Sequence, residues 1–157
     1  MIIEDIEGFS AALPPRRALI GLDLGTKTIG VAVSDTLIGI ATPVTTVRRK
    51  KFGVDADALL AIISERNIGA VVLGLPRNMD GSEGPRAQST RAFARNFERL
   101  CPLPITYWDE RLSTVAAERA LLEADTSRAR RAEVIDHVAA GYILQGALDR
   151  LAHLRNE

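Results

Sequence analysis

The stretch Ala18-Leu19-Ile20-Gly21-Leu22-Asp23-Leu24 is apolar at almost every position. A strand that reads this way has both of its faces covered, as in parallel or mixed sheets flanked by helices, and not one face in water. It therefore predicts an α/β fold, and it also leaves Asp23 in an apolar setting. A buried carboxylate without a partner costs several kcal/mol. Asp23 either caps its own turn, with Lys27 as its cation, or holds a functional ion.

The rest of the chain extends this pattern. Gly25 to Thr28 reads as a turn and Ile29 to Val33 as a second strand, so the pair forms a hairpin. The run Ile38 to Val47 carries Pro43, which suits an edge or bulged strand. A basic loop, Arg48-Arg49-Lys50-Lys51, follows. The period then becomes helical from Asp55, through Leu59, Leu60, Ile62 and Ile63, with Gly69 as the expected stop. Ala70 to Leu75 is a further buried strand, and Pro85 suits the first turn of a helix to about Leu100. Ile105 to Trp108 reads as a fifth strand. Ser113 or Thr114 suits the cap of a helix running to Ala124, Asp125 to Arg131 reads as a polar linker, and a last helix fills Ala132 to Leu154. The expected architecture is a mixed five-stranded sheet, an antiparallel three-stranded meander plus two further strands, with helices on both faces.

Residues 1–17 read as an extension to a domain at 18–157. Ile2, Ile3, Ile6 and Phe9 recur at helical spacing among acids before Pro14-Pro15 breaks the pattern. The length of 157 residues suits one core. No apolar run approaches a membrane span, and the N-terminus lacks the pattern of a secretory signal. Cys101 is the only cysteine, which fits a reducing compartment, and a cytoplasmic protein is expected. Lys+Arg and Asp+Glu are both 20, which argues against coating duplex DNA by bulk charge but leaves room for a local basic surface. Seven aromatic residues are too few for a base-stacking platform.

Two more acids stand out. Glu110 ends the fifth strand within Trp108-Asp109-Glu110-Arg111, where an ion pair with Arg111 or a neighbour is the plain alternative. Asp136 lies on the last helix, on the face that carries Ala129, Ala132, Ala140, Ile143 and Ala147, where a solvated acid does not belong. Oxygen ligands from distant segments suit hard divalent cations, and two such ions can drive phosphodiester hydrolysis without a nucleophilic side chain. His137 and His153 lack partners at zinc-ligand spacing.

These segments resemble a known family. Gly21-Leu22-Asp23-Leu24-Gly25-Thr26-Lys27-Thr28-Ile29-Gly30-Val31-Ala32-Val33-Ser34-Asp35 is similar to the opening motif of the YqgF (RuvX) family, and Gly74 to Gly84 to its second signature. Asp109-Glu110-Arg111-Leu112-Ser113-Thr114 resembles the third, and Ile135 to Ala140 with Ile143-Leu144 the closing helix. The resemblance spans about residues 18 to 150. It implies a ribonuclease H-like fold and a nuclease that matures the 5′ end of pre-16S ribosomal RNA, also described as Holliday-junction-resolvase-like. It further implies that Asp23, Glu110 and Asp136 bind Mg²⁺ or Mn²⁺.

The expected nucleic-acid contacts are Lys27, Arg77, Asn78, Ser82, Arg86, Arg128, Arg130 and Arg131. Ser82 also reads as the cap of the helix that Pro85 opens, and the amides of that helix offer a hold for phosphate. Three alternatives stay open. Branched DNA is one substrate. A binding module for ribosomal RNA, or for a ribosomal or transcription partner, with weak catalysis is another reading, favoured by Ala139 and Ala140 where resolvases bring a fourth acid. The third is an ATP clamp, which needs two such domains. Monomer and homodimer are both compatible with the sequence.

Overall fold

A computed structural model describes residues 1–112 and 128–156, with side chains in the second span from His137 onward. Helix α1 (Ile6–Ala12) precedes the strands β1 (Ala18–Leu24), β2 (Thr28–Ser34) and β3 (Ala41–Arg48). Then come α2 (Phe52–Glu65), β4 (Ile68–Leu75), α3 (Pro85–Glu98) and β5 (Ile105–Asp109). A short 3₁₀ turn covers Glu110–Leu112, and the long helix α4 is Arg128–Arg155. The sheet order is β3-β2-β1-β4-β5. β1 pairs antiparallel with β2 and β2 with β3, whereas β1–β4 and β4–β5 are parallel. This is the mixed sheet that the sequence predicts, with β1 at its centre.

Alternation along the strands divides the core in two. Ile20, Leu22 and Leu24 of β1 join Leu59, Ile63, Phe93 and Phe97 of α2 and α3 in one cluster. Leu19 joins Val72, Ala140, Ile143, Leu144 and Phe9 in the other, under α4 and α1. β3 lies at the sheet edge with its register shifted between Val31 and Ala32, next to the Ala32–Pro43 pair, as a proline in that run requires. Among the described residues no helix is long and apolar enough to cross a membrane.

The N-terminal residues pack against β5 and the core. Ile105 donates its N–H to Met1 O (2.8 Å) and accepts from Ile3 N–H (2.7 Å), which gives β5 a short parallel neighbour. Asp5 caps α1 by accepting from Gly8 N–H at 2.7 Å, and Phe9 is fully buried.

Several boundaries differ from the expectation, each for a local reason. β3 starts at Ala41 and not Ile38, because the Asp35 carboxylate accepts from Gly39 N–H (2.8 Å) and Ile40 N–H (2.9 Å) and closes a turn in which Ile38 has φ 51°. α2 starts at Phe52 and ends before Gly69: Asn67 takes the left-handed conformation (φ 52°). Gly69 lies inside β4, where a Cβ would come within 2.7 Å of Pro14 Cγ. Gly84 and not Ser82 is the N-cap of α3. Arg128, Arg130 and Arg131 belong to the start of α4 and not to a linker, since Arg and Ala are strong helix formers. The expected helix from Ser113 or Thr114 to Ala124 lies outside the described residues.

Candidate active site

Asp23 is 1% exposed and sits one residue before the end of the central strand. By alternation with Leu19 and Gly21 it is on the α4 side of the sheet. Its antiparallel partner is Gly30, which in turn faces Thr46 on β3. On the other side Leu22 is level with Leu73, so one further step sets Gly74 beside Asp23. Gly74 is in turn the partner of Trp108 on β5. Asp23 thus stands between two glycines in one row across the sheet, with no neighbouring side chain crowding it from either strand.

Glu110 enters the same row from above. It begins the 3₁₀ turn that follows β5, and its Oε1 lies 2.9 Å from where a Cβ on Gly74 would stand. Of the partners that the plain alternative offers Glu110, Arg111 is taken by the neighbouring Asp109. Arg111 binds Asp109 Oδ2 at 2.7 Å through Nη2, and its Nε donates to the same carboxylate at 3.1 Å. That contact holds the Asp109 carboxyl below the usual carboxylate range despite the opposing effect of burial.

Helix α4 crosses this face. Gly21 is crowded by it, since a Cβ there would stand 2.6 Å from Leu144 Cβ and 3.2 Å from Ala140 O. At the β3 edge Gly141 sits against Pro43, and His137 Nδ1 is 3.2 Å from Thr46 Oγ1. Thr46 is in the Asp23 row and Pro43 in the Gly21 row, so α4 runs opposite to β1, with its earlier turns nearer the Asp23 end. Asp136, the residue before His137, lies in α4, and its side chain is outside the described residues. Ala140, Ile143 and Ala147, assigned from the sequence to the same stripe as Asp136, are fully buried.

The expected nucleic-acid contacts fall into separate groups. Lys27 is exposed at the tip of the β1–β2 turn, whose backbone closes through Gly25 N–H to Thr28 O at 2.8 Å. Arg77 follows β4 and lies 3.6 Å from Glu83. Asn78 donates through its side chain to Ser82 Oγ (2.9 Å), and Ser82 donates to Asp80 Oδ1 (2.6 Å), so both stabilise their own loop. Glu83 is bound by Arg91 through Nε at 2.6 Å, and this contact holds its carboxyl below the ordinary value. Arg86 is exposed and directs Nη2 toward Leu24 O at 3.4 Å. Arg128, Arg130 and Arg131 lie in the first turn of α4. Gly30 and Gly74, which leave the space around Asp23, were not singled out from the sequence. A glycine inside a buried strand is a recognised signal of close approach.

The sheet order, the helix layers and the strand-end acids define a ribonuclease H-like fold. Two solved structures agree: Thermus thermophilus RuvC bound to a Holliday junction superposes with a TM-score of 0.54 at 12% identity, covering 87% of this chain and 96% of that one. A second structure of Thermus thermophilus RuvC gives 0.51 at 11% identity over 88% and 96%. The chain belongs to the RuvX family, whose model, described as Holliday junction resolvase, matches residues 17–150. This is a family of nucleases. Relatives in Ruegeria pomeroyi (74% identical, covering 98% of this chain and all of the relative) and Paracoccus denitrificans (75%, covering 98% of each) carry the name "Putative pre-16S rRNA nuclease".

Proposed function

We propose that this protein is a divalent-metal-dependent endonuclease that cuts phosphodiester bonds during 5′-end maturation of the 16S ribosomal RNA precursor in the cytoplasm. Asp23, Glu110 and Asp136 would hold the cation, Mg²⁺ or Mn²⁺. The observation that carries this reading is the setting of Asp23: a buried carboxylate between two glycines, with Glu110 Oε1 2.9 Å from where a Cβ on Gly74 would stand. An all-oxygen donor set at a strand end fits a hard divalent ion. The register of α4 supports the third member, since position 136 is one turn before Ala140 and adjoins His137, which contacts the Asp23 row.

When bound, such a cation supplies Lewis acidity and a water of lowered pKa. The chain does the rest. β1 holds Asp23 rigidly because it is paired on both sides, and the 3₁₀ turn presents Glu110 across Gly74. Ile143 and Leu144 seal the inner side of the row from water. Lys27, Arg77, Asn78, Ser82, Arg86, Arg128, Arg130 and Arg131 would receive the backbone of an RNA strand.

The substrate is taken from the name of the relatives, whereas the family model favours a second reading, cleavage of branched DNA. One assay separates them. Purified protein with Mn²⁺ is given a labelled pre-16S 5′ fragment and, separately, a four-way DNA junction, beside Asp23→Asn and Asp136→Asn. Cleavage of the RNA by wild type, reduced at least a thousandfold in both variants, supports the reading. Cleavage of the junction alone favours the second reading, and equal cutting by wild type and variants refutes a site at these acids.

A further inference from the structure

On the other face of the β1 terminus lies a groove of about 480 Å³ lined by Leu24, Gly25, Thr26, Arg49, Lys50, Pro85, Arg86, Ser89 and Thr90. Its three cations differ from the other arginines near the strand ends. Arg77 and Arg91 are held by Glu83, Arg91 also by Glu4, and Arg111 by Asp109. Among the described residues Arg49, Lys50 and Arg86 form no ion pair with a carboxylate. The two guanidiniums are instead fixed by backbone contacts. Arg49 Nη1 donates to Gly25 O at 2.7 Å, and Arg86 Nη2 points at Leu24 O from 3.4 Å. Arg49 N–H also donates to Lys27 O at 2.8 Å. The loop that carries them is anchored from below by Asp55, which is 3% exposed and accepts from Lys50 N–H at 2.9 Å.

Each guanidinium thus uses one donor on the β1–β2 turn and keeps the others for a ligand. Converging cations without counter-carboxylates, edged by the hydroxyls of Thr26 and Ser89, suit phosphate oxygens. The groove starts at Leu24, the residue after Asp23, so a strand that crosses the end of β1 meets both.

We infer that this groove is a second phosphate-binding site, gripping the backbone of the nucleic-acid substrate on the side of β1 away from the acids, with Arg49, Lys50 and Arg86 as positioning residues. This rests on the reading that the protein acts on nucleic acid, but its test needs no cleavage. A fluorescent single-stranded RNA oligonucleotide is titrated with protein in EDTA across a salt series. The triple variant Arg49→Gln, Lys50→Gln, Arg86→Gln should bind at least tenfold more weakly at 0.1 M salt, with a salt slope shallower by about 2. Arg66→Gln, Arg99→Gln, Arg155→Gln, which removes the same charge outside this groove, should change both far less. Lys50→Gln, Arg86→Gln keeps the bond from Arg49 to the turn, so it reports on the groove even if the triple variant misfolds, and it should show a smaller loss of the same kind. Equal losses in groove and control variants overturn the inference. So does binding of inorganic pyrophosphate that needs the groove while RNA binding does not, which would make this a small-anion site. If wild type binds through the groove and never cuts, the nuclease reading fails and this one stands.

Discussion

Gly74 carries two constraints at once. A Cβ there would stand 2.4 Å from Ile143 Cδ1 and 2.9 Å from Glu110 Oε1. Gly74→Ala should therefore destabilise the fold by about 1–3 kcal/mol through overpacking. It should also slow cleavage at least tenfold by displacing Glu110; thermal unfolding and single-turnover rates check the two effects separately. An unchanged rate would remove Glu110 from the site. The loop beside it has an acid-sensitive tie. The Glu83 carboxyl is held below its ordinary value first by the hydrogen bond from Arg91 and then by the charges of Arg91 and Arg77. A depressed folded-state pKa gives stability that is present above the unfolded value, near 4, and lost as pH falls through the lower folded value. Stability should thus decline with acid below about pH 4, and Glu83→Gln should flatten that decline in urea unfolding measured at successive pH values.

Helix α4 sits close to the sheet because β1 has no side chain at Gly21. Gly21→Ala would force its Cβ to 2.6 Å from Leu144 Cβ, whereas a Cβ on Gly53 of α2 meets nothing within 4 Å. The two substitutions should have opposite signs: Gly21→Ala costs about 1–3 kcal/mol, and Gly53→Ala gains up to about 1 kcal/mol from helix propensity. Chemical denaturation decides it. The strands and helices with strong periodicity could be read from the sequence within a few residues. The misplaced boundaries were those set by a single contact. The turn before β3 depends on the Asp35 carboxylate, the end of α2 on left-handed Asn67, and the cap of α3 on Ser82 being occupied with Asp80. None of these produces a periodic signal.

The molecule brings together what the chain holds far apart, and the sequence shows that unevenly. Asp23 could be recognised alone, because an acid in an apolar strand conflicts with burial. Glu110 stands out only by its place at a strand end beside Asp109, and it is the geometry that gives Arg111 to Asp109. Of the groove cations, Arg86 is among the expected nucleic-acid contacts, whereas Arg49 and Lys50 read only as part of a basic loop; the fold separates arginines held by acids from those fixed on carbonyls. On the proposed function, carboxylates on β1, after β5 and on α4 share a divalent ion. Anomalous difference maps from a crystal grown with Mn²⁺ test it directly. A peak is expected about 2.1 Å from oxygens of Asp23, Glu110 and Asp136, absent in crystals of Asp23→Asn. A map with Mn²⁺ bound only elsewhere, or a peak at this site that survives Asp23→Asn, would contradict it.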